Sequence, residues 1–429
     1  MEATQVIKVN NSVYVINMDS LIVKHFTIDE FRKISRNDSL LQELISTING
    51  PSYLQRLKPV NDYYSSEKAI VLPSLLLSYE CNYTCTYCYQ KRQKENSQRI
   101  TADQITGVKE FYSEYSRITG HEVEFKAVHV SGGEPFLPEN KETIEKIAEV
   151  FYNKTLIFAT NGTFINDYRD ILSHHCHVKL WVSIDGAKEV HYLKRVPSLN
   201  SHYDDMMSGV KWAVSEGIDI SIMCVFDPDY ADSYSLFFDE IENLGWLRNK
   251  GINLVFLPLT SGAGCDTIES EYLDNAIAAF IKLRTTDGRA GCVDARQLMP
   301  GAIPLMKAIK RANDGLFDPY RCECLVKPSY SFTPGGLVYL CSAFEDELGC
   351  IGRYWPEVEI DLSRINLYSM RRIENMEACN NCVKKVFCNC GCAATAVDRT
   401  HDIHGIHCSI WANPTFLQHL EHFTFNDFA

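Results

Sequence analysis

The sequence predicts an α/β protein whose centre is an open, partial (β/α)6 barrel, with a small α+β module before it and a cysteine-rich segment after it. Three observations predict this architecture. Strand-like and helix-like segments alternate six times between residues 69 and 290, which is typical of a parallel sheet covered by helices. Residues 1–68 show a different pattern, with three strands followed by helices. Ten of the 17 cysteines lie between Cys322 and Cys408, in a region of short, turn-rich segments.

The first 68 residues predict a small winged-helix-like module. The segment QVIKVNNSVYVINM contains two strand-like runs around Asn10 and Asn11, a pair that favours a hairpin turn, and SLIVKHF adds a third strand. The next segment, TIDEFRKISRNDSLLQELISTI, has a helical pattern, and Thr27 lies three residues before Glu30 as in a capping box. A simple extension that packs on the main domain fits the same pattern.

Residues 69–290 predict the barrel. The first strand, AIVLPSLLLSYE, is followed by apolar residues at helical spacing, which are Ile105, Val108, Phe111, Tyr112 and Tyr115. Five further strands, each followed by a helical segment, are expected at VEFKAVHVSGG, TLIFATNG, VKLWVSIDG, IDISIMCVF and INLVFLP. Six units are fewer than the eight of a closed barrel, so we expect an open barrel with its active residues at the carboxyl ends of the strands.

The bulk composition disfavours several classes of protein. The net charge of −13 disfavours a nucleic-acid partner, because a surface that follows phosphates needs the opposite sign. We see no secretion signal and no apolar run of the ~18 residues that a membrane helix needs, so we expect a cytoplasmic protein without a membrane partner. In a reducing compartment, 17 cysteines favour metal or cluster ligation over disulfides.

Three cysteines follow the first barrel strand in the segment SYECNYTCTYCYQK. Cys81, Cys85 and Cys88 are an odd number for disulfide pairing and one short of the four ligands of a closed zinc site. Three thiolates on a tight loop suit a 4Fe–4S cluster, because they bind three irons and leave the fourth iron open to a small molecule. Three core cysteines, or part of a zinc knuckle, are the structural alternatives.

This C-x3-C-x2-C pattern, with the aromatic Tyr87 before its last cysteine, closely resembles the signature of the radical S-adenosylmethionine (SAM) enzymes. The resemblance implies that Cys81, Cys85 and Cys88 are catalytic cluster ligands and that SAM binds the open iron. It also implies that an electron from the cluster cleaves SAM to a 5′-deoxyadenosyl radical, which abstracts a hydrogen atom from the substrate. An external donor such as flavodoxin or ferredoxin is expected to supply the electron.

Polar residues at the ends of the next three strands are candidates for SAM binding. SGGEP ends the second strand, where two glycines allow close backbone approach to a ligand and Glu134 can accept from an ammonium group. ATNG and SIDG end the third and fourth strands, and because NG and DG are common turn pairs, Asn161 and Asp185 have that alternative role. By resemblance, Ser183 and Asp185 face the ribose or carboxylate of SAM, and Arg195 faces the carboxylate. The residues expected to bind SAM are Tyr87, Gly132, Gly133, Glu134, Asn161, Ser183, Asp185 and Arg195.

The cysteine-rich segment has a second specific spacing. CNNCVKKVFCNCGC gives a C-x2-C-x5-C-x3-C pattern, with further cysteines upstream and Cys408 downstream. This closely resembles the SPASM domain, a C-terminal extension that carries two auxiliary 4Fe–4S clusters in some radical SAM enzymes, and so implies three clusters in all. Two zinc sites are the alternative, since CxxC pairs also bind zinc. The implied ligands are Cys341 and Cys392 with Cys324, Cys322 or both for one cluster, and Cys379, Cys382, Cys388 and Cys408 for the other.

Changes in the sequence pattern near residues 69 and 320 set the expected domain boundaries, and the two resemblances together cover about residues 75–415. The radical SAM barrel covers residues 69–290, a linker covers 291–319, the SPASM domain covers 320–415 and a tail follows at 416–429. Cys390 lies between two expected ligands and has no assigned partner, so the sequence leaves open which thiol binds there.

The resemblance to SPASM enzymes favours a peptide or protein substrate. One branch, the sulfatase maturases, carries an aspartate directly after the cysteine that corresponds to Cys341, and here that residue is Ser342. Because the oxidation needs a base within hydrogen-bond reach, the serine weakens that branch, although Glu345 and Asp346 lie close by in the sequence. The other branch crosslinks ribosomally made peptides and often begins with a winged-helix module that pairs a leader peptide against an edge strand.

The sequence therefore predicts a leader-directed maturase that abstracts hydrogen from a ribosomally synthesised precursor peptide and installs a thioether or carbon–carbon crosslink. A formylglycine-forming enzyme of the sulfatase-maturase type is the first alternative. A radical SAM enzyme acting on a small molecule or RNA, and a non-catalytic zinc scaffold, are the others. The acidic composition fits RNA poorly.

Overall fold

The computed structural model describes most of the chain. It covers residues 4–9, 12–17, 20, 22–49, 68–90, 97–175, 177–259, 270–298, 327–344, 347–382, 385–388 and 390–408. The predicted features outside the described residues are Cys322, Cys324, Glu345, Asp346, the tail at 416–429 and most of the linker at 291–319. Within the described part of the chain, no helix has both the length and the apolar character needed to cross a bilayer.

A three-stranded antiparallel sheet followed by two helices forms the N-terminal module. Its elements are β1 (Thr4–Val9), β2 (Ser12–Asn17), β3 (Val23–Thr27), α1 (Ile28–Ser35) and α2 (Asp38–Ile48). The predicted capping box is confirmed, because the Glu30 amide donates to the Thr27 hydroxyl at 3.3 Å and the Thr27 amide donates to the Glu30 carboxylate at 2.8 Å. The hairpin turn predicted at residues 10 and 11 lies outside the described residues.

The N-terminal module packs against the rest of the protein through alternate residues of β2. Val15 packs with Leu44 and Ile48 of α2 in a small core of the module. Tyr14 and Ile16 belong to the main hydrophobic core, because successive side chains of a strand point to opposite faces. One strand therefore contributes to two cores, and the module is docked on the main domain.

A parallel sheet lies at the centre of the protein. The strands of this region are β4 (Lys68–Val71), β5 (Ser74–Leu76), β6 (Tyr83–Cys85), β7 (Glu122–Phe125), β8 (Ala127–Ser131), β9 (Thr155–Thr160), β10 (Val178–Ser183), β11 (Arg195–Pro197), β12 (Asp219–Phe226) and β13 (Ile252–Pro258). Strands β5, β8, β9, β10, β12 and β13 are neighbours in that order, and each neighbouring pair is parallel. Strands β6 and β11 form a separate antiparallel ribbon, and β4 pairs with β7. The predicted mixed α/β fold with a large parallel sheet is confirmed.

Helices alternate with the strands of the parallel sheet. They are α3 (Gln104–Thr119), α4 (Lys141–Val150), α5 (Arg169–His174), α6 (Lys188–Lys194), α7 (His202–Ser215), α8 (Tyr234–Asn243) and α9 (Ser270–Thr286). Short 3-10 helices lie at Pro138–Asn140, Ile165–Tyr168, Pro228–Ser233, Gly288–Cys292 and Arg296–Leu298. In α3, the predicted apolar residues Ile105, Val108 and Phe111 are fully buried, and each contributes about 1.5–3 kcal/mol by leaving water. Gly120, at a φ of 76°, ends this helix in the left-handed conformation that glycine adopts easily.

The C-terminal region continues the same sheet. Its elements are β14 (Ser331–Phe332), β15 (Leu337–Tyr339), β16 (Cys350–Arg353), β17 (Glu359–Ile360), α10 (Leu362–Ser369), α11 (Glu377–Asn380), α12 (Lys385–Cys388) and α13 (Ala393–Thr400), with 3-10 helices at Glu347–Gly349 and Ile373–Asn375. Strand β14 pairs in parallel with β5, and β15, β16 and β17 follow it in antiparallel pairs. Because β5 leads to the three-cysteine loop, the sheet joins the C-terminal region directly to that loop.

Aromatic packing stabilises the junction between the two regions. Phe332 of β14 is fully buried and meets Phe111 of α3 edge to face, with ring centroids 5.5 Å apart. The Tyr112 hydroxyl donates to the Pro328 carbonyl at 2.7 Å and accepts from the Tyr330 amide at 3.2 Å. The junction is therefore a packed and hydrogen-bonded core, which fixes the C-terminal region against the parallel strands.

Candidate active site

Three thiols share one cavity at the carboxyl end of the parallel sheet. Cys81, Cys85 and Cys88 line a cavity of about 460 Å³. The ends of the other parallel strands contribute Ser131, Gly132, Gly133, Thr160, Asn161, Ser183, Val225, Leu257 and Pro258 to its walls. This follows from the parallel pairing, because the carboxyl ends of parallel strands meet at one edge of a sheet.

The two glycines of SGGEP are required by contact with the protein's own backbone. A Cβ atom on Gly133 would lie 1.9 Å from the carbonyl oxygen of Glu80, and one on Gly132 would lie 2.5 Å from that of Ser78. Gly132 also has a φ of 100°, which residues with a side chain rarely adopt. The amide of Glu134 donates to the same Glu80 carbonyl at 2.8 Å. The glycines therefore allow the end of β8 to lie against the segment that leads into the loop of Cys81, Cys85 and Cys88, which we call the cluster loop.

The Glu134 carboxylate is buried behind the cavity wall. It accepts from the Thr160 hydroxyl at 2.6 Å, from the Asn161 amide at 2.7 Å and from the Phe136 amide at 2.9 Å. Burial raises the pKa of Glu134 to about 7, although these hydrogen bonds favour the charged form. The carboxylate thus connects the end of β8 to the end of β9, while its contact with the ammonium group of SAM stays a prediction.

Asp185 is also fully buried, and it holds Arg195 at the cavity. Its carboxylate accepts from Arg195 Nε at 2.8 Å, from the Val225 amide at 2.9 Å and from the Tyr87 hydroxyl. Burial by itself would raise the pKa of Asp185, but the positive charges of Arg195 and Lys194 outweigh it and hold the pKa below its ordinary value. The Arg195 guanidinium also lies 5.3 Å from the centroid of the Tyr87 ring. Tyr87, Asp185 and Arg195 therefore form one connected unit.

Side chains from neighbouring strands donate to thiols of the cluster loop. Asn161 Nδ2 lies 3.8 Å from Cys81 Sγ and 2.7 Å from Asn82 Oδ1. Arg195 Nη1 lies 3.8 Å from Cys85 Sγ, because the antiparallel pairing of β11 with β6 sets these two residues opposite each other. The loop thus receives hydrogen-bond donors from the end of β9 and from β11.

Six of the eight residues predicted to bind SAM line the cavity, whereas Glu134 and Asp185 lie behind its wall. The six are Tyr87, Gly132, Gly133, Asn161, Ser183 and Arg195. Gln90 and Gln297 also line it and were not among the predicted residues. Gln90 lies two residues after Cys88, and that proximity was its signal. Gln297 lies in a 3-10 helix after α9, where no pattern marks it. The contacts of all these residues with SAM stay predictions.

Cys341 lies in the C-terminal region, close to the cavity of the three loop cysteines. It follows β15 and lines a small pocket together with Leu76, Tyr79, Tyr89, Gln90, Ser331, Thr333, Tyr339, Ser342 and Phe344. Tyr79, Tyr89 and Gln90 line the larger cavity as well. These three side chains therefore separate a predicted auxiliary-cluster ligand from the cavity of the three loop cysteines.

The other described C-terminal cysteines lie on short helices and turns. Cys379 lies in α11, Cys388 ends α12 and Cys392 directly precedes α13. Cys390 is buried, has a φ of 66° and hydrogen-bonds with the Cys379 thiol. This bond lowers the pKa of Cys379 to about 7 and raises the pKa of Cys390. Cys390, which the sequence left without a partner, thus lies in direct contact with a predicted ligand.

A buried arginine connects the loops around these cysteines. Arg371 is 2% exposed and donates to the carbonyls of Cys390 at 2.7 Å, Ile403 at 2.7 Å and Gly405 at 2.9 Å. The last two residues shortly precede the exposed Cys408. The Arg371 side chain therefore forms hydrogen bonds to the segments before and after α13.

The residues around the larger cavity fit a 4Fe–4S cluster with one open iron. Their three thiols surround a shared space and are one short of the four ligands of a closed zinc site. Four irons occupy more space than one, so thiols spread around a cavity suit a cluster better than a zinc site. Asn161, Ser183 and Arg195 offer the donors and acceptors that an amino-acid group and a ribose need.

Residues 75–235 match the family model of the Radical SAM superfamily. The sporulation killing factor maturation protein SkfB of Bacillus subtilis is 20% identical over 172 residues, which cover 40% of each chain. A "Probable GTP 3′,8-cyclase" of Methanococcus maripaludis is 25% identical over 147 residues, which cover 34% of this chain and 46% of the relative. The chain thus spans less than half the length of either relative.

Two solved structures have a similar fold over most of this chain. SuiB of Streptococcus suis, solved bound to the precursor peptide SuiA, gives a TM-score of 0.57 at 12% identity and covers 96% of this chain and 98% of its own. The protein anSMEcpe, solved with bound AdoMet, gives a TM-score of 0.57 at 16% identity and covers 84% and 96%. At these identities the likeness shows the fold alone. Together with the family match, it confirms the predicted resemblance to radical SAM enzymes.

Proposed function

Residues 75–235 form a radical SAM domain, and we propose that the whole chain is a peptide maturase that installs a thioether or carbon–carbon crosslink in a ribosomally synthesised precursor peptide. We take the six parallel strands as an open (β/α)6 barrel. The observation that carries the proposal is the cavity shared by Cys81, Cys85 and Cys88, with Cys341 on the other side of a common wall. This arrangement suits a substrate that reacts at one cluster while it touches a second.

The cavity residues have distinct roles in the proposal. The three loop cysteines hold three irons of a 4Fe–4S cluster, and the cavity beside them takes SAM. When bound, cluster and SAM supply a 5′-deoxyadenosyl radical, made by one-electron cleavage of SAM, that abstracts hydrogen from a peptide residue. Arg195 presents its positive charge to the SAM carboxylate. Val225, Leu257 and Pro258 line the wall with apolar groups and exclude water.

Relatives and similar structures support a peptide substrate. SkfB is named as a maturation protein, and SuiB and anSMEcpe were solved with the peptides SuiA and Kp18Cys. In this chain β1 and β3 are the edges of the N-terminal sheet, and as far as the structure describes the chain each pairs with β2 alone. An extended leader peptide adds to such an edge through main-chain hydrogen bonds. We therefore assign leader binding to residues 1–68, as a winged-helix-like module.

The proposal includes two auxiliary 4Fe–4S clusters in a SPASM domain, three clusters in all. The ligand sets are Cys341 and Cys392 with Cys324, Cys322 or both, and Cys379, Cys382, Cys388 and Cys408. Cys341 lies beside the barrel mouth, where a substrate thiolate or the second electron of crosslinking has a short path to it. An external one-electron donor such as flavodoxin or ferredoxin is the further partner.

Product analysis on anaerobically reconstituted protein tests the proposal. With dithionite, SAM and candidate precursor peptides, we expect 5′-deoxyadenosine and a peptide that is lighter by two hydrogens. Cys88→Ala should abolish 5′-deoxyadenosine formation, whereas Cys382→Ala should keep part of it and lose the peptide product. Cys292→Ala is the matched control, because Cys292 is exposed and belongs to neither group of predicted ligands.

Several outcomes would contradict parts of the proposal. Full turnover by both Cys88→Ala and Cys382→Ala would contradict the roles given to the cysteines. An aldehyde on the peptide without a crosslink would indicate a formylglycine-forming enzyme, despite the serine at Ser342. Protein that takes up zinc but neither iron nor acid-labile sulfide would indicate a zinc scaffold.

A further inference from the structure

Arg195 and Asn161, whose side chains donate to loop thiols, are held in place by neighbouring protein groups. The Arg195 side chain is 11% exposed and Asn161 is 5% exposed. Asp185 accepts from Arg195 Nε at 2.8 Å. Glu134 accepts from the backbone amide of Asn161 at 2.7 Å, and Asn82 Oδ1 accepts from Asn161 Nδ2 at 2.7 Å. The protein's own side chains therefore place both donor atoms at the thiols.

Donors and charges beside a cluster thiolate change how readily the cluster accepts an electron. An N–H group or a positive charge stabilises the reduced state, because that state carries one more negative charge. Arg195 Nη1 and Asn161 Nδ2 each lie 3.8 Å from a predicted cluster ligand, Cys85 and Cys81. Asp185 acts in the opposite direction, since its carboxylate compensates part of the Arg195 charge.

We infer that Arg195 and Asn161 raise the reduction potential of the cluster held by Cys81, Cys85 and Cys88, and that Asp185 limits the rise. The inference rests on the proposed function, because it requires that cluster. The step concerned is the uptake of one electron by the oxidised cluster from an external donor such as dithionite. A higher potential gives a larger reduced fraction at any given donor potential, so these residues are positioning residues for SAM cleavage.

Potentiometric titration followed by electron paramagnetic resonance (EPR) tests the inference. The cluster concerned is identified by the change of its signal when SAM is added, and its midpoint potential is measured without SAM. Asn161→Ala should lower the equilibrium constant for reduction about threefold to tenfold, where tenfold equals about 59 mV for one electron. Asp185→Asn should raise it by a similar factor, because asparagine can still accept from Arg195 Nε but carries no charge.

The two variants should shift the midpoint potential in opposite directions. This separates a redox effect from general destabilisation, because destabilisation would not raise the potential in Asp185→Asn. Asn253→Ala is the matched control, because Asn253 is exposed at the start of β13, away from the cavity. Unchanged potentials in cluster-loaded Asn161→Ala and Asp185→Asn protein would overturn the inference. Loss of the cluster from both variants would overturn it too, since the residues would then be needed to hold the cluster. If the EPR signal of the wild-type protein did not change when SAM is added, the proposed function would be overturned instead.

Discussion

The two groups of cysteines are held in place by different means. The first group lies at the barrel mouth, which is the cavity of Cys81, Cys85 and Cys88 in the proposed barrel. There Cys85 lies in β6, which pairs with β11, and buried polar side chains from neighbouring strands fix the cavity walls. Around the C-terminal cysteines, α11 and α12 have four residues each and α13 has eight, and Arg371 connects their loops. The fold therefore builds the first site before metal binds. We propose that the second site, by contrast, depends on metal–thiolate bonds to keep its shape.

This difference matters for the proposed chemistry. A site that must bind SAM and orient it for cleavage gains from walls that do not move when the ligand enters. A site that only passes electrons or holds a substrate thiolate needs a fixed distance to the first site. The shared sheet supplies that distance, because β14 of the C-terminal region pairs with β5 next to the cluster loop.

Removal of iron should give the largest effect and separate the two regions. We expect the amides of residues 377–382, 385–388 and 390–400 to lose about 1,000-fold or more of their protection against hydrogen exchange, because metal binding would stabilise their fold. The amides of β8 and β9 should keep their protection. Hydrogen-exchange mass spectrometry on reconstituted and chelator-treated protein, both kept anaerobic, measures the difference. Equal losses in both regions would show that the barrel mouth also depends on its cluster for structure.

Gly133→Ala should give the next largest effect, this time at the barrel mouth. The added Cβ would lie 1.9 Å from the Glu80 carbonyl oxygen, and its three nearest neighbours are all backbone atoms, which leave little room to relax. We expect a loss of about 3 kcal/mol in the free energy of unfolding, at the upper end of overpacking effects, together with reduced iron content. Urea unfolding and iron analysis measure the two quantities.

Gly291→Ala is the matched control for this substitution. A Cβ on Gly291 meets no other atom within 4 Å, so its free energy of unfolding should stay within about 0.5 kcal/mol of wild type. Equal stability of Gly133→Ala and Gly291→Ala would show that the contact between β8 and the cluster loop can open without cost, and that the barrel mouth is not preformed.

Periodicity and residue type were sufficient to predict the parallel sheet and the edge where the site lies. The alternation of strands and helices is local, and polar residues after buried strands mark the carboxyl ends. The roles of Glu134 and Asp185 were beyond such reasoning. Each carboxylate binds amides of a neighbouring strand, with partners 27 and 40 residues away, so its direction depends on which strands pair and in what register.

The C-terminal region shows the same limit. Cysteine spacing was sufficient to select the predicted ligands, but the contact of Cys390 with Cys379 and the three carbonyl bonds of Arg371 depend on how short segments fold back. The pairing of β14 with β5 joins residues more than 250 positions apart, and two-residue strands leave no pattern in the sequence.

The pH dependence of stability should give the smallest effect and tests whether a buried carboxylate holds the wall of the barrel mouth. Burial raises the pKa of Glu134 from 4.5 to about 7 in the folded chain, so the folded state binds this proton more tightly than the unfolded state. The resulting stabilisation is complete below pH 4.5 and is lost as the pH rises through about 7. Wild-type protein should therefore lose up to about 1.4 kcal/mol per pH unit between pH 5.5 and 7, relative to Glu134→Gln, in urea unfolding followed by circular dichroism.

Glu139→Gln is the matched exposed control, because Glu139 lies five residues later and its side chain is 60% exposed. The difference between wild type and Glu134→Gln should change with pH more steeply than the difference between wild type and Glu139→Gln, because only Glu134 is buried. Parallel pH profiles for wild type and Glu134→Gln would mean that the carboxylate reaches solvent in the folded protein. The carboxylate would then not fix the wall between β8 and β9. The conclusion that the fold preforms the first site but not the second would be wrong for this wall.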